Sequence, residues 1–322
     1  MFKRIRKNSI ADRFISSDEF SVLVPLLAIT LVTTIIRPDF LTVSNFSAMF
    51  TQIPFIAIVA LGVSFTLMAG NVDISTGRVA GLAGVIMAVL DYSQPAYIAI
   101  LVALLVSSLI GLINGILVVN FNIPDFVATM GTLYMTGGAR YLFMKGYQLS
   151  LKEFPIAVAF DRRYLGMPIH FWVMIIMFIF VYVVIKKTIW GRQLLAVGDN
   201  REVADLVGIK VNRVRIKAYV ICALLSAIAG ILLTLDIGIG LPETGDGWEF
   251  RAIAGCVVGG VSLSGGKCSP LGILIGVTLV FLAEIAIIFI GLPNTMRIAV
   301  QALKATAVLF DIYKQSRKIP AS

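Results

Sequence analysis

A short glycine-rich segment, LSGGK at residues 263–267, has the residue types of a phosphate-binding loop. Such a loop holds phosphates with its backbone amides and its lysine, and it requires a glycine five residues before its final glycine. That position is Val261 here, and Cys268 stands where a hydroxyl would hold magnesium. Apolar runs on both sides leave no room for a nucleotide-binding fold. The sequence therefore predicts that this chain binds no ATP and that residues 263–267 form a tight turn.

Carboxylates inside apolar segments are the second candidate for chemistry, because a charge at membrane depth is costly and often functional. Glu284 lies in the middle of GILIGVTLVFLAEIAIIFIG. It could relay protons, or it could form an ion pair with Arg297 or Lys304 on the next predicted helix, and structural pairing is the favoured interpretation. Other charged residues in or near predicted spans are Asp73, Arg78, Arg140, Asp236, Glu249 and Arg251.

The patterns of membrane proteases and lipases, HExxH and GxSxG, do not occur in the sequence. The single histidine, His170, opens a predicted spanning segment and is interpreted as an interfacial residue. Cys222, Cys256 and Cys268 lie in or beside apolar segments, without disulfide or metal-site spacing. We therefore predict no catalytic residue, no metal site and no enzymatic activity.

The elements that position these residues follow from hydropathy. Of the 322 residues, 58% are hydrophobic and only 14% are charged, whereas soluble domains contain about 25% charged residues. A helix needs about 20 apolar residues to cross a bilayer. Spanning segments are predicted at 20–36, 50–69, 74–91, 95–119, 124–143, 167–186, 216–236, 249–264, 268–290 and 294–312. The predicted fold is an all-α polytopic membrane protein of about ten transmembrane helices, with residues 1–322 as a single transmembrane domain.

Basic residues determine the predicted orientation, because cytoplasmic loops are enriched in Lys and Arg. Residues 186–217 contain eight Lys/Arg and three Asp/Glu, and both ends of the chain are also basic. An even number of spans then puts both termini in the cytoplasm, with a cytoplasmic N-terminal segment at 1–19 and a cytoplasmic loop at 187–215. Topology and anionic lipid account for the net charge of +9, so no nucleic-acid partner is predicted.

Residues 201–208 of this loop have the pattern of a short amphipathic helix. Asp199 or Asn200 can cap its start, and Gly208 can end it. Its apolar strip consists of Val203, Leu206 and Val207. Such a strip either lies on the membrane or is buried in a partner protein, and the pattern alone leaves both alternatives open.

Two glycine-interrupted segments form a faint internal repeat. The pattern Arg78-Gly81-Gly84 recurs as Arg251-Gly255-Gly259. Segments five places apart run in opposite directions, so a duplication would give the inverted repeat found in many transporters. Chance similarity in glycine-rich apolar sequence is the alternative. Interrupted polar segments of this kind usually line a cavity rather than face lipid.

Six ordered blocks between residues 40 and 313 resemble the permease subunits of bacterial ABC importers for monosaccharides, the ribose, xylose, galactose and arabinose group. They are FLTVSNFSAMF (40–50), ALGVSFTLMAGNVDISTG (60–77), GLINGILVVNFNIPDFVATMGTLYMTGGAR (111–140), GRQLLAVGDNREVADLVGIKV (191–211), GDGWEFRAIAGCVVGGVSLSGG (245–266) and AVLFDIY (307–313). The resemblance implies a ten-helix permease of the vitamin-B12-permease-like (type II) fold in the bacterial inner membrane.

The resemblance also implies how such a chain is driven. Its partners would be a cytoplasmic ABC ATPase with two nucleotide-binding modules in one chain, an extracytoplasmic sugar-binding protein, and a second permease, identical or related. ATP and magnesium would bind to the ATPase, and this chain would hold no cofactor. The implied ATPase-coupling residues are Gly191, Arg192, Gly198, Asn200, Glu202, Ala204 and Gly208.

The predicted residues of the translocation path and gate are Asn71, Asp73, Ser75, Phe126, Thr129, Glu249 and Glu284. Packing or capping is the alternative for each, and Asp73 with Ser75 has the pattern of a helix N-cap. The chain departs from the family pattern at Gly70-Asn71, where two glycines are usual, and around Glu284, where an asparagine-rich pattern is usual. The predicted function is ATP-driven import of a monosaccharide or small polyol, with an ion-coupled secondary transporter as the alternative. The individual sugar is left open.

Overall fold

The computed structural model describes residues 18–152 and 163–291, with side chains from residue 23 onwards. These two ranges contain eleven α-helices. In chain order they are α1 Asp18–Ile36, α2 Val43–Met68, α3 Thr76–Leu90, α4 Ala96–Val119, α5 Asp125–Met144, α6 Ile169–Lys187, α7 Ile189–Asp199, α8 Arg201–Leu206, α9 Val211–Ile237, α10 Trp248–Val258 and α11 Pro270–Phe289. The predicted span 294–312, with Arg297 and Lys304, lies outside the described residues.

Five of the described helices, namely α2, α4, α6, α9 and α11, are long and apolar enough to cross a membrane. Two shorter apolar helices are Leu23–Ile36, which is part of α1, and Thr76–Leu90, which is α3. A helical, polytopic membrane protein is therefore confirmed. The strands are only two residues long, and they pair antiparallel as β1 Leu149–Ser150 with β4 Ile239–Gly240 and β2 Arg163–Tyr164 with β3 Met167–Pro168.

Helix α9 lies at the centre of the bundle and packs against α2, α3 and α4. Small residues make this possible, because they allow the backbones of membrane helices to approach closely. A Cβ atom on Gly230 of α9 would collide with the carbonyl oxygen of Ala80 in α3. On α4, a Cβ atom on Gly111 would lie 2.6 Å from the carbonyl oxygen of Tyr219. The backbones of α3, α4 and α9 therefore pack closely at these glycines.

The predicted span 249–264 is wrong at its C-terminal end. Helix α10 stops at Val258, and residues 259–269 form turns. Gly260 has a φ of +86°, a left-handed conformation that ends a helix, whereas the prediction had continued the span through Val261 and Leu263. The predicted turn at LSGGK is confirmed, with the amide of Gly265 donating to the carbonyl of Ser262 at 3.1 Å.

Helices α3 and α10 both follow a non-helical segment, at residues 69–75 and 241–247 respectively. The second interruption packs against the first turn of α3, because a Cβ atom on Gly77 would collide with the carbonyl oxygen of Gly245 and with Oε2 of Glu249. Non-helical backbone is tolerated at membrane depth only inside protein or beside a water-filled cavity. A cavity or a polar site is therefore expected in the region between α3, α5 and α10.

Candidate coupling site and transport path

Helix α8 has both of the end signals predicted for it. The side chain of Asn200 accepts a hydrogen bond from the amide of Val203 at 3.0 Å, which makes it the N-cap. At the other end the amide of Gly208 donates to Asp205 at 2.9 Å, and that of Ile209 donates to Ala204 at 3.0 Å. This pair of bonds, with a φ of +82° at Gly208, is a Schellman motif.

The apolar strip of α8 has no partner among the described residues. Val203, Leu206 and Val207 are 54%, 86% and 71% exposed, whereas Ala204 on the opposite side is buried. Glu202 is also exposed. The short helix therefore turns one side toward the bundle and presents its apolar side outward, as the sequence pattern predicts.

Helix α7 attaches α8 to the bundle. Thr188 caps its start by accepting from the amide of Gly191 at 3.0 Å. Leu194 and Val197 are fully buried, and the ring of Trp190 stacks on that of Phe65 in α2 at 5.6 Å. These contacts pack α7 firmly against the end of α2, and α8 projects from the two helices. Arg192, in contrast, is exposed.

A junction of close backbone contacts joins α7, the LSGGK turn and the end of α2. The amide of Gly266 donates to the carbonyl of Met68 at 3.1 Å, and a Cβ atom on Gly198 would collide with that same carbonyl. Arg201, the first residue of α8, donates from Nη2 to the carbonyl of Gly70 at 2.8 Å. Nearby, burial raises the pKa of the Cys268 thiol to about 12, so this side chain stays neutral.

The segment after α2 is held by side chains from two other helices. Arg215 of α9 donates from Nε to Oδ1 of Asn71 at 3.0 Å. Asp125, at the start of α5, accepts from the amide of Val72 at 2.7 Å. The hydroxyl of Thr129 accepts from the amide of Ile74 at 3.3 Å. Through these bonds the segment is attached to both α9 and α5.

A second group of bonds continues from this segment into the bundle. Asp73 accepts from the hydroxyl of Ser75 at 2.6 Å, and Ser75 accepts from Nδ2 of Asn114 at 3.0 Å. The hydroxyl of Thr132 donates to Oδ1 of Asn114 at 2.5 Å. All four side chains are buried. Of the predicted N-cap pair, Ser75 does occupy the N-cap position of α3, but its side chain makes no capping bond, and Asp73 accepts from the hydroxyl and the amide of Ser75.

An ionic cluster lies where α3, α5 and the start of α10 meet. Asp246 accepts from Nη2 of the fully buried Arg140 at 2.6 Å, and it lies 3.5 Å from Nε of Arg78. Arg140 also donates from Nη1 to the carbonyl of Thr244 at 2.5 Å. The guanidinium of Arg78 lies 5.8 Å from the centre of the Tyr134 ring. This arrangement places a cation, an anion and an aromatic ring together inside the bundle.

Comparison with known proteins identifies the family. A family model described as "branched-chain amino acid transport system / permease component" matches residues 45–309, which is most of the chain. The chain belongs to this permease family. It is a membrane permease subunit of an ABC importer and not an enzyme, and it is a multi-pass protein of the bacterial inner membrane.

The permease has relatives that match along most of its length. It is 31% identical to the ribose import permease protein RbsC of Haemophilus influenzae over 99% of this chain and 100% of the relative. It is 34% identical to the autoinducer 2 import system permease protein LsrC of Enterobacter sp. strain 638, covering 85% and 80% of the two chains. It is 29% identical to the L-arabinose ABC transporter permease protein AraH of Azospirillum brasilense, covering 93% and 87%. No solved structure matches the permease.

The predicted path residues of the permease fall into separate places. Asn71, Asp73, Ser75 and Thr129 come together in the buried bonds around residues 69–75, and Phe126 is a partly buried neighbour of Thr129 in α5. Glu249 is buried beside Gly77. Glu284 pairs instead with Arg251 of α10, with Oε2 and Nε 3.1 Å apart. The predicted partners of Glu284, Arg297 and Lys304, lie outside the described residues.

Three further residues, His170, Asn114 and Asp246, have surroundings that the sequence did not reveal. His170, interpreted from the sequence as an interfacial residue, lies at the start of α6 and is fully buried in the protein, with Nδ1 3.3 Å from Oδ1 of Asp236. Asn114 and Asp246 carry no sequence signal of their own, because their partners are distant in the chain. The position of Asp246 just before the apolar run of α10 was the one available hint, since loops at such breaks line cavities.

Proposed function

We propose that this permease carries a monosaccharide or similarly small polyol, and that α8 transmits the motion of a cytoplasmic ATPase to it. The two sides of α8 are the observation that carries the coupling proposal. One side presents Val203, Leu206 and Val207 outward. The other is tied to the bundle through Arg201, whose bond to Gly70 reaches the segment that leads into α3. A helix that a partner can hold on one side and that is bonded to a membrane segment on the other is suited to transmit force.

An open groove of about 560 Å³ beside α8 supports a protein partner at this surface. It is lined by Arg201, Glu202, Asp205, Lys210, Val211, Asn212, Arg213 and Arg215. Charges of both signs next to an exposed apolar strip resemble the polar rim and apolar centre of a protein interface. A helix lying in the lipid interface would be destabilised by the carboxylates of Glu202 and Asp205, because anionic headgroups repel them. We assign the coupling role to Gly191, Arg192, Gly198, Asn200, Glu202, Ala204 and Gly208.

The proposed assembly contains two permeases, identical or related, an ATPase with tandem nucleotide-binding modules that holds ATP and magnesium, and an extracytoplasmic sugar-binding protein. Each permease would form one domain over residues 1–322, with ten transmembrane helices in the type II fold. The names of the relatives, which include a ribose, an arabinose and an autoinducer 2 permease, support a small hydroxyl-rich substrate.

Residues 69–75 form the proposed gate. They are non-helical, and their polar contacts reach α4, α5 and α9 through side chains that can exchange partners. Closure of the ATPase would move α8, and the Arg201–Gly70 bond would pass that motion to Asn71 and Asp73. Glu249 and Phe126 stand next to this segment or its partners, and they are proposed as path residues with Thr129 and Ser75. Glu284 is assigned a structural role on its pair with Arg251, and a gating role would require that pair to break.

Reconstitution tests this proposal. The permease, its ATPase and its binding protein in proteoliposomes should import radiolabelled D-ribose, L-arabinose or D-xylose only when ATP reaches the ATPase. The alternative of ion-coupled transport makes the opposite prediction, because the permease alone would then import the sugar when a proton or sodium gradient is applied. Import by the permease alone under such a gradient would overturn the proposal.

A further inference from the structure

We infer that Arg78, Asp246 and Tyr134 form a contact site for the hydroxyl groups of the sugar as it crosses the membrane. This inference rests on the proposed function, and it assigns substrate contact to residues outside the gate segment. The depth of these residues, their exposure and their chemistry each support it.

The depth of the cluster follows from its neighbours. Trp248, two residues after Asp246, stacks on the ring of Phe55 with centroids 6.3 Å apart. Phe55 is near the midpoint of α2, which runs from residue 43 to residue 68 and is long enough to span the bilayer. Tyr134 is likewise at the middle of the twenty-residue α5. Both observations put the ion pair between the ends of the helices around it, within the part of the bundle that crosses the membrane.

The cluster is accessible from one side. The side chains of Asp246 and Arg78 are 40% and 27% exposed, and Tyr134 is 66% exposed. Charged side chains at this depth do not face hydrocarbon, so the surface that exposes them faces water or polar groups. Arg140, in contrast, is fully buried behind them, where it fixes Asp246 through Nη2 and the loop carbonyl of Thr244 through Nη1. A rigid support behind an exposed ion pair is the arrangement expected of a binding surface.

The chemistry of the exposed groups matches a neutral polyol. A sugar hydroxyl is both donor and acceptor, so neighbouring hydroxyls can donate to the carboxylate of Asp246 and accept from the guanidinium of Arg78. The ring of Tyr134, beside that guanidinium, supplies an apolar face for the C–H groups of the sugar. The carboxylate of Asp246 faces the guanidinium groups of both Arg78 and Arg140, so it has no unpaired negative charge with which to hold a cation. The few polar groups of the site suit brief contact rather than tight binding.

Both interruptions of the helical backbone border this cluster, which supports a pathway here. Asp246 belongs to the non-helical segment 241–247, and Arg78 follows the non-helical segment 69–75 by three residues. Interrupted segments at corresponding positions of two repeats are the best sequence indicator of a transporter's substrate site. The second interruption contacts the first turn of α3, which follows the first interruption, at Gly245 and Gly77.

The test measures sugar imported per ATP hydrolysed, using the complete importer in proteoliposomes with radiolabelled D-ribose and L-arabinose. The variants are Asp246→Asn and Tyr134→Ala, with Tyr134→Phe retaining the ring and Tyr97→Ala as a control at an exposed tyrosine on α4. We expect Asp246→Asn and Tyr134→Ala to lower import per ATP about tenfold, the equivalent of one lost charged hydrogen bond. ATP hydrolysis stimulated by the loaded binding protein should stay within about twofold of wild type, because α8 is unaltered.

Tyr134→Phe and Tyr97→Ala should import as the wild type does. Unchanged import per ATP in both Asp246→Asn and Tyr134→Ala would overturn the inference and leave the proposed function standing. The inference would also be overturned if the two variants lost ATP hydrolysis in proportion to import, because that pattern indicates a structural role. Failure of the wild-type importer to use ATP would instead overturn the proposed function. Tyr134→Ala changes an exposed side chain, so it keeps the test usable if Asp246→Asn does not fold.

Discussion

Arg201, the first residue of α8, donates a 2.8 Å hydrogen bond to the carbonyl oxygen of Gly70, the second residue after α2 ends. This bond joins the proposed coupling helix to the proposed gate directly. The same guanidinium nitrogen is 3.4 Å from the carbonyl of Ala69, so it caps the end of α2 as well. A movement of α8 therefore acts on the end of α2 without an intervening residue.

Replacing Arg201 with glutamine should uncouple ATP hydrolysis from import. Hydrogen bonds to charged groups contribute about 1.5–3 kcal/mol, which corresponds to a tenfold or greater loss of coupling. Sugar import per ATP in proteoliposomes measures the effect, and the ATPase should still co-purify because the apolar strip of α8 is intact. Arg37→Gln, which removes an exposed arginine that does not line the groove beside α8, is the control. Equal sugar import per ATP in Arg201→Gln and wild type would show that the Arg201–Gly70 bond does not transmit the motion of α8.

The left-handed backbone at Gly208 makes a sharper test of α8. Gly208→Arg forces a side chain into a conformation that costs about 1–2 kcal/mol, and it adds bulk at the end of the exposed strip. We expect uptake to be abolished while the protein remains in the membrane. Gly208→Asn is the control, because asparagine tolerates this conformation. The prediction fails if Gly208→Arg supports uptake at the rate of Gly208→Asn, measured with membrane levels checked by immunoblotting.

The close contact between α9 and α3 predicts a loss of stability in Gly230→Ala. The added methyl group would collide with the carbonyl oxygen of Ala80, and overpacking of this kind costs about 1–3 kcal/mol. The unfolding temperature of the detergent-solubilised protein should fall. Gly131→Ala, in α5, is the control, because no atom lies within 4 Å of the new methyl group. An equal unfolding temperature in the two variants would contradict the packing described for α9.

The ion pair between Arg251 and Glu284 predicts coupled effects on stability. Glu284→Leu leaves the partly buried Arg251 uncompensated, and removing one partner of a buried pair destabilises more than removing both. The double variant Arg251→Met/Glu284→Leu should therefore be more stable than Glu284→Leu alone. Thermal unfolding of the two single variants and the double variant gives the interaction energy. Strictly additive effects would mean that the two side chains do not interact.

The local parts of the coupling site were predictable from sequence, because the signals that form them lie next to each other. Asn200 and Gly208 fix the ends of α8 through bonds to residues at most four positions away, and the apolar strip of α8 follows from helical spacing. Apolar composition similarly located most of the long helices. It failed beyond Val258, where the backbone conformation at Gly260 ends the helix although Val261 and Leu263 follow.

The contacts between distant segments could not be predicted from the sequence. Arg201 reaches Gly70, and Arg140 reaches Asp246, across more than a hundred positions. Such pairs depend on how α9 brings the two halves of the bundle together, and hydropathy carries no information about that packing. The same limit explains why the pair of Glu284 with Arg251, on the preceding helix, was not predicted.

Photocross-linking from Leu206 tests the central claim, that α8 docks on the ATPase, most directly. A photoreactive amino acid replaces Leu206, which is 86% exposed at the centre of the apolar strip, in the co-expressed importer. The same substitution at Tyr97 serves as the control. The account predicts an adduct at position 206 that contains ATPase peptides by mass spectrometry, and none from position 97. Cross-linking of Leu206 to lipid alone, in a complex that retains its ATPase, would contradict it.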